Sequence, residues 1–221
     1  MSGSAVDGPE LVRDALPAVS RETLDRFATH VELLNKWQRV KNLVSPASLD
    51  HVWQRHVFDS AQLLRLCPDA RRIVDLGSGA GFPGLVLAAM LAETPGARVD
   101  LVESNARKAA FLRAVASASK LPAVVHAGRL EVVAPGLSPP VDLVTARALA
   151  SLSELIDPLR PLLAHGGVAL LHKGAEFEAE IAEARTRCAL DLVIHESLSD
   201  PAGRILEIRG IGELAETRDA S

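Results

Sequence analysis

The sequence lacks several features that mark specialised classes of protein. It contains no tyrosine and only two cysteines, Cys67 and Cys188, in 221 residues. Two isolated cysteines are too few for a disulfide framework or a structural zinc site, so we expect reduced thiols, no metal site and a cytoplasmic location. Aromatic residues make up only 3% of the chain. Recognition of nucleic-acid bases by many stacked aromatic rings is therefore excluded.

Long apolar runs are also missing. No run could span a bilayer, and residues 1–10 lack the basic start and apolar core of a secretory signal. The formal net charge of −4 argues weakly against a nucleic-acid partner, although a basic face can coexist with an acidic remainder. With 48% hydrophobic and 24% charged residues, the composition favours one globular domain with an appendage, and we expect a monomer.

The patterning divides the chain into an N-terminal helical extension over residues 1–68, an α/β domain over 69–212 and a C-terminal tail over 213–221. Apolar residues at three- and four-residue steps predict one helix from Ser20 to Trp37 and another from near Ser48. Neither helix is stable alone, so both should pack on the α/β domain. Residues 1–18 and 212–221 have the composition of loose ends.

From Arg71 onward, short apolar strands alternate with helices, which predicts a parallel sheet covered on both faces. The expected strands cover residues 73–76, 99–103, 123–126, 142–145 and 167–172, and the expected helices 82–91, 105–120, 151–164 and 176–187. Two further strands, 192–198 and 204–209, are joined by five residues, which suits an antiparallel hairpin. The fold class is therefore α/β: a Rossmann-like, mostly parallel sheet with a C-terminal antiparallel hairpin and an N-terminal helical extension.

A glycine-rich segment, DLGSGAGFPG from Asp75 to Gly84, joins the first predicted strand to the helix after it. This junction is where doubly wound sheets bind nucleotides, and glycines allow a ligand to approach the backbone closely. Glu103 ends the next predicted strand, where a carboxylate can accept hydrogen bonds from both hydroxyls of a ribose.

The residues from Gly79 to Gly84 also match the dinucleotide fingerprint, which leaves NAD as an alternative ligand. Asp75, however, precedes the glycines. Its carboxylate would repel a pyrophosphate but could attract a cationic ligand through a sulfonium or amino group. The antiparallel C-terminal strands are also unlike a dinucleotide half-fold. We therefore favour S-adenosylmethionine over NAD.

Several segments resemble, in order, the ribosomal RNA small-subunit methyltransferase G family, also called glucose-inhibited division protein B. The resemblance runs from about residue 20 to residue 210. Its most specific parts are NLVS from Asn42, RHVFDS from Arg55 and RALASL from Arg147. The sequence departs from the family pattern at Ala146 and Leu149, where Ser and Phe are frequent, and at His172, where an apolar residue is usual.

The resemblance implies a class I methyltransferase that transfers a methyl group from S-adenosylmethionine to N7 of one guanine in 16S ribosomal RNA. The implied partner is that RNA or the assembled small subunit. Together with the glycine loop, the resemblance implies these cofactor contacts: Asp75, Gly77, Gly79, Gly81, Phe82, Glu103, Leu130, Glu131 and Arg147. The implied catalytic residues are Asn42, His56, Arg147 and Lys173, and the implied RNA contacts are Arg129, Lys173 and Arg204.

Each polar candidate also has a purely structural interpretation. Arg147 could form a salt bridge at a strand end, Lys173 could be a solvated loop lysine, and His56 could be a buried histidine with its hydrogen bonds satisfied. Arg129 and Arg204 could form surface ion pairs, and Asn42 could end a helix. Three alternative functions stay open at this point: a small-molecule methyltransferase, an NAD-dependent oxidoreductase and a non-enzymatic RNA-binding factor.

Overall fold

Seven strands form one mixed sheet in the computed structural model, which describes residues 7–38, 43–137 and 140–214. The strands are β1 (Arg72–Leu76), β2 (Arg98–Glu103), β3 (Ala123–Ala127), β4 (Leu143–Arg147), β5 (Val168–Lys173), β6 (Ala189–Glu196) and β7 (Arg204–Gly212). Their order is β3-β2-β1-β4-β5-β7-β6. Strands β1 to β5 pair in parallel, and β7 runs antiparallel to both β5 and β6. The predicted Rossmann-like sheet with its C-terminal hairpin is confirmed.

Helices cover both faces of this sheet. They are α1 (Pro9–Ala15), α2 (Arg21–Gln38), α3 (Pro46–Leu49), α4 (Asp59–Ala61), α5 (Gly84–Met90), α6 (Ala106–Ala118), α7 (Leu130–Val133), α8 (Leu152–Leu163) and α9 (Phe177–Arg185). Side chains fix two of the helix starts. Asn105 accepts the backbone N–H groups of residues 107 and 108 before α6, and Ser151 forms a reciprocal capping box with Glu154 before α8.

The core has two layers because alternate residues of each strand point to opposite faces. On β1, Ile73 packs beneath the N-terminal helices, α5 and α6, whereas Val74 and Leu76 pack beneath α8 and α9. Phe27 of α2 is 1% exposed in the first layer. The prediction that the N-terminal helices pack on the α/β domain is therefore confirmed. The division of the chain after residue 68 stays a prediction.

The N-terminal segment differs from the sequence prediction in two respects. Residues 9–15 are not a loose end, because they form α1, whose Val12 is fully buried. Asp7 anchors this segment by accepting backbone N–H groups from Trp53 and Gln54 at 3.0 and 2.9 Å. The predicted second helix is broken into α3, a π-helical stretch (Trp53–Phe58), α4 and a 3-10 turn (Gln62–Arg65).

Smaller differences concern element ends. The hairpin strands reach further from the turn than expected, to residues 189 and 212, and the short α7 was not predicted. Cys67 and Cys188 are both free. Within the described ranges, no helix combines the length and the apolar character needed to cross a bilayer.

Candidate active site at the carboxyl edge of the sheet

The loop between β1 and α5 contains three glycines with left-handed backbone angles. The φ values are +66° at Gly77, +56° at Gly79 and +87° at Gly81, which side chains with a Cβ rarely adopt. A Cβ on Gly77 would lie 2.4 Å from a methyl carbon of Leu149. At Gly79, by contrast, the nearest atom to such a Cβ is the Gly77 carbonyl oxygen at 3.7 Å, so Gly79 faces open space. The loop is therefore tightly packed at Gly77 and bare at Gly79.

A cavity of about 310 Å³ lies against this loop, and we name it the loop cavity. Its wall contains Leu43, Val44, Gly77, Ser78, Gly79, Ala80, Phe82, Val102, Glu103, Ser104, Lys108, Gly128, Leu130, Arg147, Ala148 and Leu149. The volume is at the lower end of the range for small-molecule sites. Six of the predicted cofactor residues lie in this wall, and they come from the ends of β1, β2 and β4 and from α7.

Glu103 connects the loop to the end of β2. Its carboxylate accepts the Gly79 backbone N–H at 2.8 Å and the Asn105 backbone N–H at 2.7 Å. The side chain therefore positions the bare part of the loop, and Glu103 also belongs to the cavity wall. This is the place where a carboxylate would receive the hydroxyls of a ribose.

Asp75 does not line the loop cavity, contrary to the direct contact predicted from the sequence. It is fully buried, and its carboxylate accepts the Thr145 hydroxyl at 2.7 Å and the Gly84 backbone N–H at 3.2 Å. Burial raises the pKa of Asp75 to about 6. The reason for the correction is register: Asp75 pairs with Thr145 on the neighbouring β4 and points toward the start of α5.

Two further predicted cofactor residues lie off the cavity wall. A Cβ on Gly81 would meet Leu85 of α5, so this glycine faces the helix that follows the loop. Glu131 is exposed on α7, whereas its neighbour Leu130 lines the cavity. Both residues shape elements beside the cavity and do not form its wall.

A second cavity of about 640 Å³ adjoins the first, and we name it the hairpin cavity because the β6–β7 turn borders it. It is lined by Val44, Ser45, Ser48, Arg55, His56, Asp59, Arg147, Ala148, Ala150, His172, Lys173, Gly174, Glu180, Ser197, Ser199, Asp200, Gly203 and Arg204. Val44, Arg147 and Ala148 belong to both walls. The two cavities therefore meet at the end of β4.

Arg147 occupies this boundary. Its Nη1 donates to the Arg55 carbonyl oxygen at 3.0 Å and to Asp59 Oδ2 at 3.2 Å, and its Nη2 contacts His56 Nδ1. The guanidinium also lies over the Phe82 ring, 5.6 Å from its centroid. Arg147 therefore forms a salt bridge at the end of its strand, as the structural interpretation predicted. Its side chain also lies in the walls of both cavities.

His56 is buried and stacks on the Phe82 ring at 4.9 Å between centroids, while His30 stacks on Phe82 at 4.6 Å. Arginine only donates hydrogen bonds, so His56 Nδ1 accepts and its proton lies on Nε2. Burial, together with Arg147, lowers the pKa of His56 to about 3. Burial lowers that of His30 to about 4. Both rings are therefore neutral near pH 7, and they hold Phe82 in place.

Lys173 and Arg204 are both engaged by protein acceptors. Lys173 Nζ donates to Glu180 Oε2 at 2.6 Å and to the Ala150 carbonyl at 2.9 Å, with its side chain 7% exposed. The solvated-lysine interpretation is therefore wrong. Arg204 donates to the carbonyls of Pro201 and Gly203 and pairs with no carboxylate among the described residues, so it forms no surface ion pair there.

The remaining two candidates are Arg129 and Asn42. Arg129 is exposed just before α7 and lies outside both cavity walls. Asn42 lies outside the residues that the structure describes.

Sequence reasoning missed Arg55, Asp59 and Glu180. Arg55 and Asp59 are four residues apart within the RHVFDS segment, a spacing that places two side chains on one side of a helical turn. That spacing was an available signal. The sequence around Glu180 gives no such signal, because the role of Glu180 depends on the packing of α9 against the loop between β4 and α8.

The loop cavity fits an adenosyl group. The backbone is bare at Gly79, a carboxylate stands at the end of β2, and Val102 and Leu130 supply apolar surface beside them. A pyrophosphate would need hydrogen-bond donors and positive charge at the loop. The Gly79 N–H, however, already donates to the negatively charged Glu103 carboxylate, so the loop does not suit a pyrophosphate.

Two solved structures with similar folds are O-methyltransferases. The chain is similar to the O-methyltransferase TomG from Streptomyces achromogenes, solved in complex with SAM, with a TM-score of 0.60 and 15% identity over 91% of this chain and 95% of that one. It is also similar to an O-methyltransferase from Bacillus cereus, solved in complex with SAH, with a TM-score of 0.60 and 19% identity over 94% and 98% of the two chains. At these identities the likeness shows the fold alone.

Sequence comparison is more specific. The chain is 46% identical to the ribosomal RNA small subunit methyltransferase G of Brucella anthropi over 202 residues, which are 91% of this chain and 94% of that protein. Its identity to the protein of the same name from Brucella canis is 46%, over 90% and 93% of the two chains. Residues 23–216 match the family described as rRNA small subunit methyltransferase G. The chain therefore belongs to the rRNA small subunit methyltransferase G family.

Proposed function

We propose that this protein transfers the methyl group of S-adenosylmethionine to N7 of one guanine in 16S ribosomal RNA. Family membership makes the chain a methyltransferase of small-subunit ribosomal RNA, and it removes the NAD-dependent and small-molecule alternatives. The observation that carries the finer proposal is the meeting of two cavities at Arg147. One cavity has the size and wall of an adenosyl site, and the other is larger and bordered by basic groups.

The chemistry matches what the site contains. S-adenosylmethionine supplies an electrophilic methyl group when it is bound. Guanine N7 carries an in-plane lone pair and no proton, so its attack forms the N–C bond as the S–C bond breaks, without a general base. The positive charge then lies on the guanine ring, and a neutral thioether departs. His56 is a poor base, because its pKa is lowered to about 3 and its Nδ1 already accepts from Arg147, and arginine only donates. The reaction requires no base.

The protein's contribution is placement. Phe82 stacks on two imidazole rings in the loop just before α5, and Glu103 fixes the loop at Gly79. Rigid walls on both sides of the boundary align acceptor and donor, and such alignment can lower a barrier by several kcal/mol. Arg147 lies where the two ligands would meet. A bidentate grip of arginine on guanine would cover N7, so we assign Arg147 a contact with O6, a phosphate or the cofactor carboxylate.

Arg55 is the residue that we assign to the RNA backbone. It is exposed in the hairpin-cavity wall, and its guanidinium has no hydrogen bond or ion pair within the described ranges. Lys173 and Arg204, by contrast, donate to protein oxygens. An uncompensated cation at the mouth of a cavity attracts phosphate and releases counterions on binding. Arg129, Lys173 and Arg204 stay proposed RNA contacts.

Borohydride–aniline cleavage of ribosomal RNA, read by primer extension, tests the proposal. This chemistry cuts the strand at 7-methylguanosine. A strain lacking the protein should lose one scission in 16S ribosomal RNA, and the wild-type chain should restore it. A cleavage pattern that is unchanged by deletion would refute the N7 assignment. A cytoplasmic location and a monomeric state stay predictions.

A further inference from the structure

Asp59 is the most connected carboxylate of the hairpin-cavity wall. Its Oδ1 accepts hydrogen bonds from Gln62 Nε2 at 2.9 Å, Ser197 Oγ at 3.3 Å and Ser199 Oγ at 2.5 Å. Gln62 belongs to the N-terminal helices, and the two serines belong to the turn between β6 and β7. Oδ1 therefore fixes Asp59 to two distant parts of the chain at once.

The other oxygen, Oδ2, faces two nitrogen groups of the cavity wall. Arg147 Nη1 lies 3.2 Å away and His172 Nε2 lies 3.4 Å away. His172 Nε2 also donates to the Asp59 carbonyl at 2.9 Å. Burial lowers the pKa of His172, so Arg147 is the cation that faces Asp59 at neutral pH.

The ionisation of Asp59 is maintained by these neighbours. Burial alone would raise the pKa of Asp59, but His172, Ser199 and Arg147 outweigh burial and hold that pKa below its ordinary value. The side chain of Arg147 is 18% exposed and that of Asp59 is 13% exposed. The pair is thus a largely desolvated ion pair in which removal of one partner leaves the other charge uncompensated.

An uncompensated Arg147 would disturb the proposed reaction. The transferred methyl group starts on a sulfonium cation and ends on a guanine ring that carries the same positive charge. A free guanidinium at the boundary of the two cavities would repel both charged species. Paired with Asp59, the guanidinium keeps its hydrogen-bond donors while its net charge is cancelled.

We propose that Asp59 is a positioning residue that holds Arg147 at the boundary of the two cavities and neutralises its charge there. This inference rests on the proposed function, which supplies the reaction that Arg147 serves. The turn between β6 and β7 acts on the site through the same carboxylate, because Ser197 and Ser199 hold its Oδ1.

The test compares Asp59→Asn with a matched control, Asp157→Asn. Both changes remove the carboxylate of an ion pair with arginine, but Asp157 is 71% exposed and lies in neither cavity wall. On small ribosomal subunits that lack the methyl group, Asp59→Asn should lower kcat by about 10- to 100-fold. The control should match the wild type, and thermal unfolding of both variants should confirm that they fold.

Calorimetry without RNA gives a second readout. Asp59→Asn should weaken binding of cationic S-adenosylmethionine by about three- to tenfold more than binding of neutral-sulfur S-adenosylhomocysteine. Equal losses for the two ligands would indicate a merely structural role and would overturn the proposal. This calorimetric comparison tests the role of Asp59 without any methyl transfer to RNA. A failure to methylate ribosomal RNA would refute the proposed function and leave this test of Asp59 valid.

A double-mutant cycle completes the test. If Asp59 acts through Arg147, then Asp59→Asn combined with Arg147→Ala should be no slower than Arg147→Ala alone. Ser199→Ala, which keeps both charges and removes one support of Oδ1, should lower kcat less than Asp59→Asn. A wild-type kcat in Asp59→Asn, or additive losses in the double variant, would contradict the proposal.

Discussion

Replacing Asp75 with asparagine should change how the stability of the protein depends on pH. In the folded chain the carboxyl has a pKa of about 6, against an ordinary value of 3.8. Between these values the folded chain binds more protons than the unfolded chain, so stability falls as pH rises. The loss is nearly complete at pH 7, one unit above the folded-state pKa. Asparagine does not ionise, and the variant should lack this component.

The magnitude follows from the two pKa values. Their difference, at about 1.4 kcal/mol for each pH unit, corresponds to about 3 kcal/mol for a group that is fully buried. Asparagine can retain the two hydrogen bonds, with its oxygen accepting the Gly84 N–H and its amide donating to Thr145 Oγ1. The wild type should therefore lose about 3 kcal/mol relative to Asp75→Asn between pH 3 and pH 7.

Urea denaturation of both proteins at half-unit pH steps measures this difference. Taking the difference between the two proteins at each pH cancels the contributions of other carboxylates, such as Asp100, whose lowered pKa acts in the opposite direction. A difference that stays flat from pH 4 to pH 7 would refute the buried-carboxyl account. Cofactor affinity gives a second check, because a direct contact of Asp75 with the ligand would cost tenfold or more on substitution. Its burial beneath the loop predicts a smaller loss.

Three further variants test separate parts of the site. Gly79→Val places a branched side chain at a left-handed position facing the loop cavity. Calorimetry should show that the variant no longer binds S-adenosylmethionine but keeps its affinity for small ribosomal subunits. An equal loss of both affinities would mean that the loop has a purely structural role. Arg147→Ala should lower kcat by at least about tenfold in protein that thermal unfolding shows to be folded, and unchanged turnover would contradict its place at the boundary. Arg55→Gln should reduce the salt dependence of RNA binding by about one phosphate contact, whereas Arg65→Gln, outside both cavity walls, should leave it unchanged.

The sheet and the glycine loop could be predicted because their signals are local. Apolar strands such as Ile73–Leu76 are read directly from the sequence, and the loop between β1 and α5 follows from the spacing of Gly77, Gly79 and Gly81. The antiparallel hairpin followed from the short link before Arg204. Helix α1 was missed because its stability comes from Asp7 and from the burial of Val12 against distant residues.

The polar network of the site could not be predicted in the same way. Arg147 and Asp59 are 88 residues apart in sequence, and Asp59 and Ser199 are 140 apart. Their contact depends on how the N-terminal helices and the hairpin turn meet at one edge of the sheet. Asp75 shows the converse problem. Its position in the motif predicted a contact with the ligand, but the register of β1 directs its side chain into the interior.

Transfer of a tritiated methyl group from S-adenosylmethionine to small ribosomal subunits, purified from cells that lack this protein, tests the central claim most directly. Digestion of the labelled RNA and chromatography of its nucleosides should place the label in 7-methylguanosine at one molar equivalent or less per subunit. Absence of transfer, or label in any other nucleoside, would contradict the account.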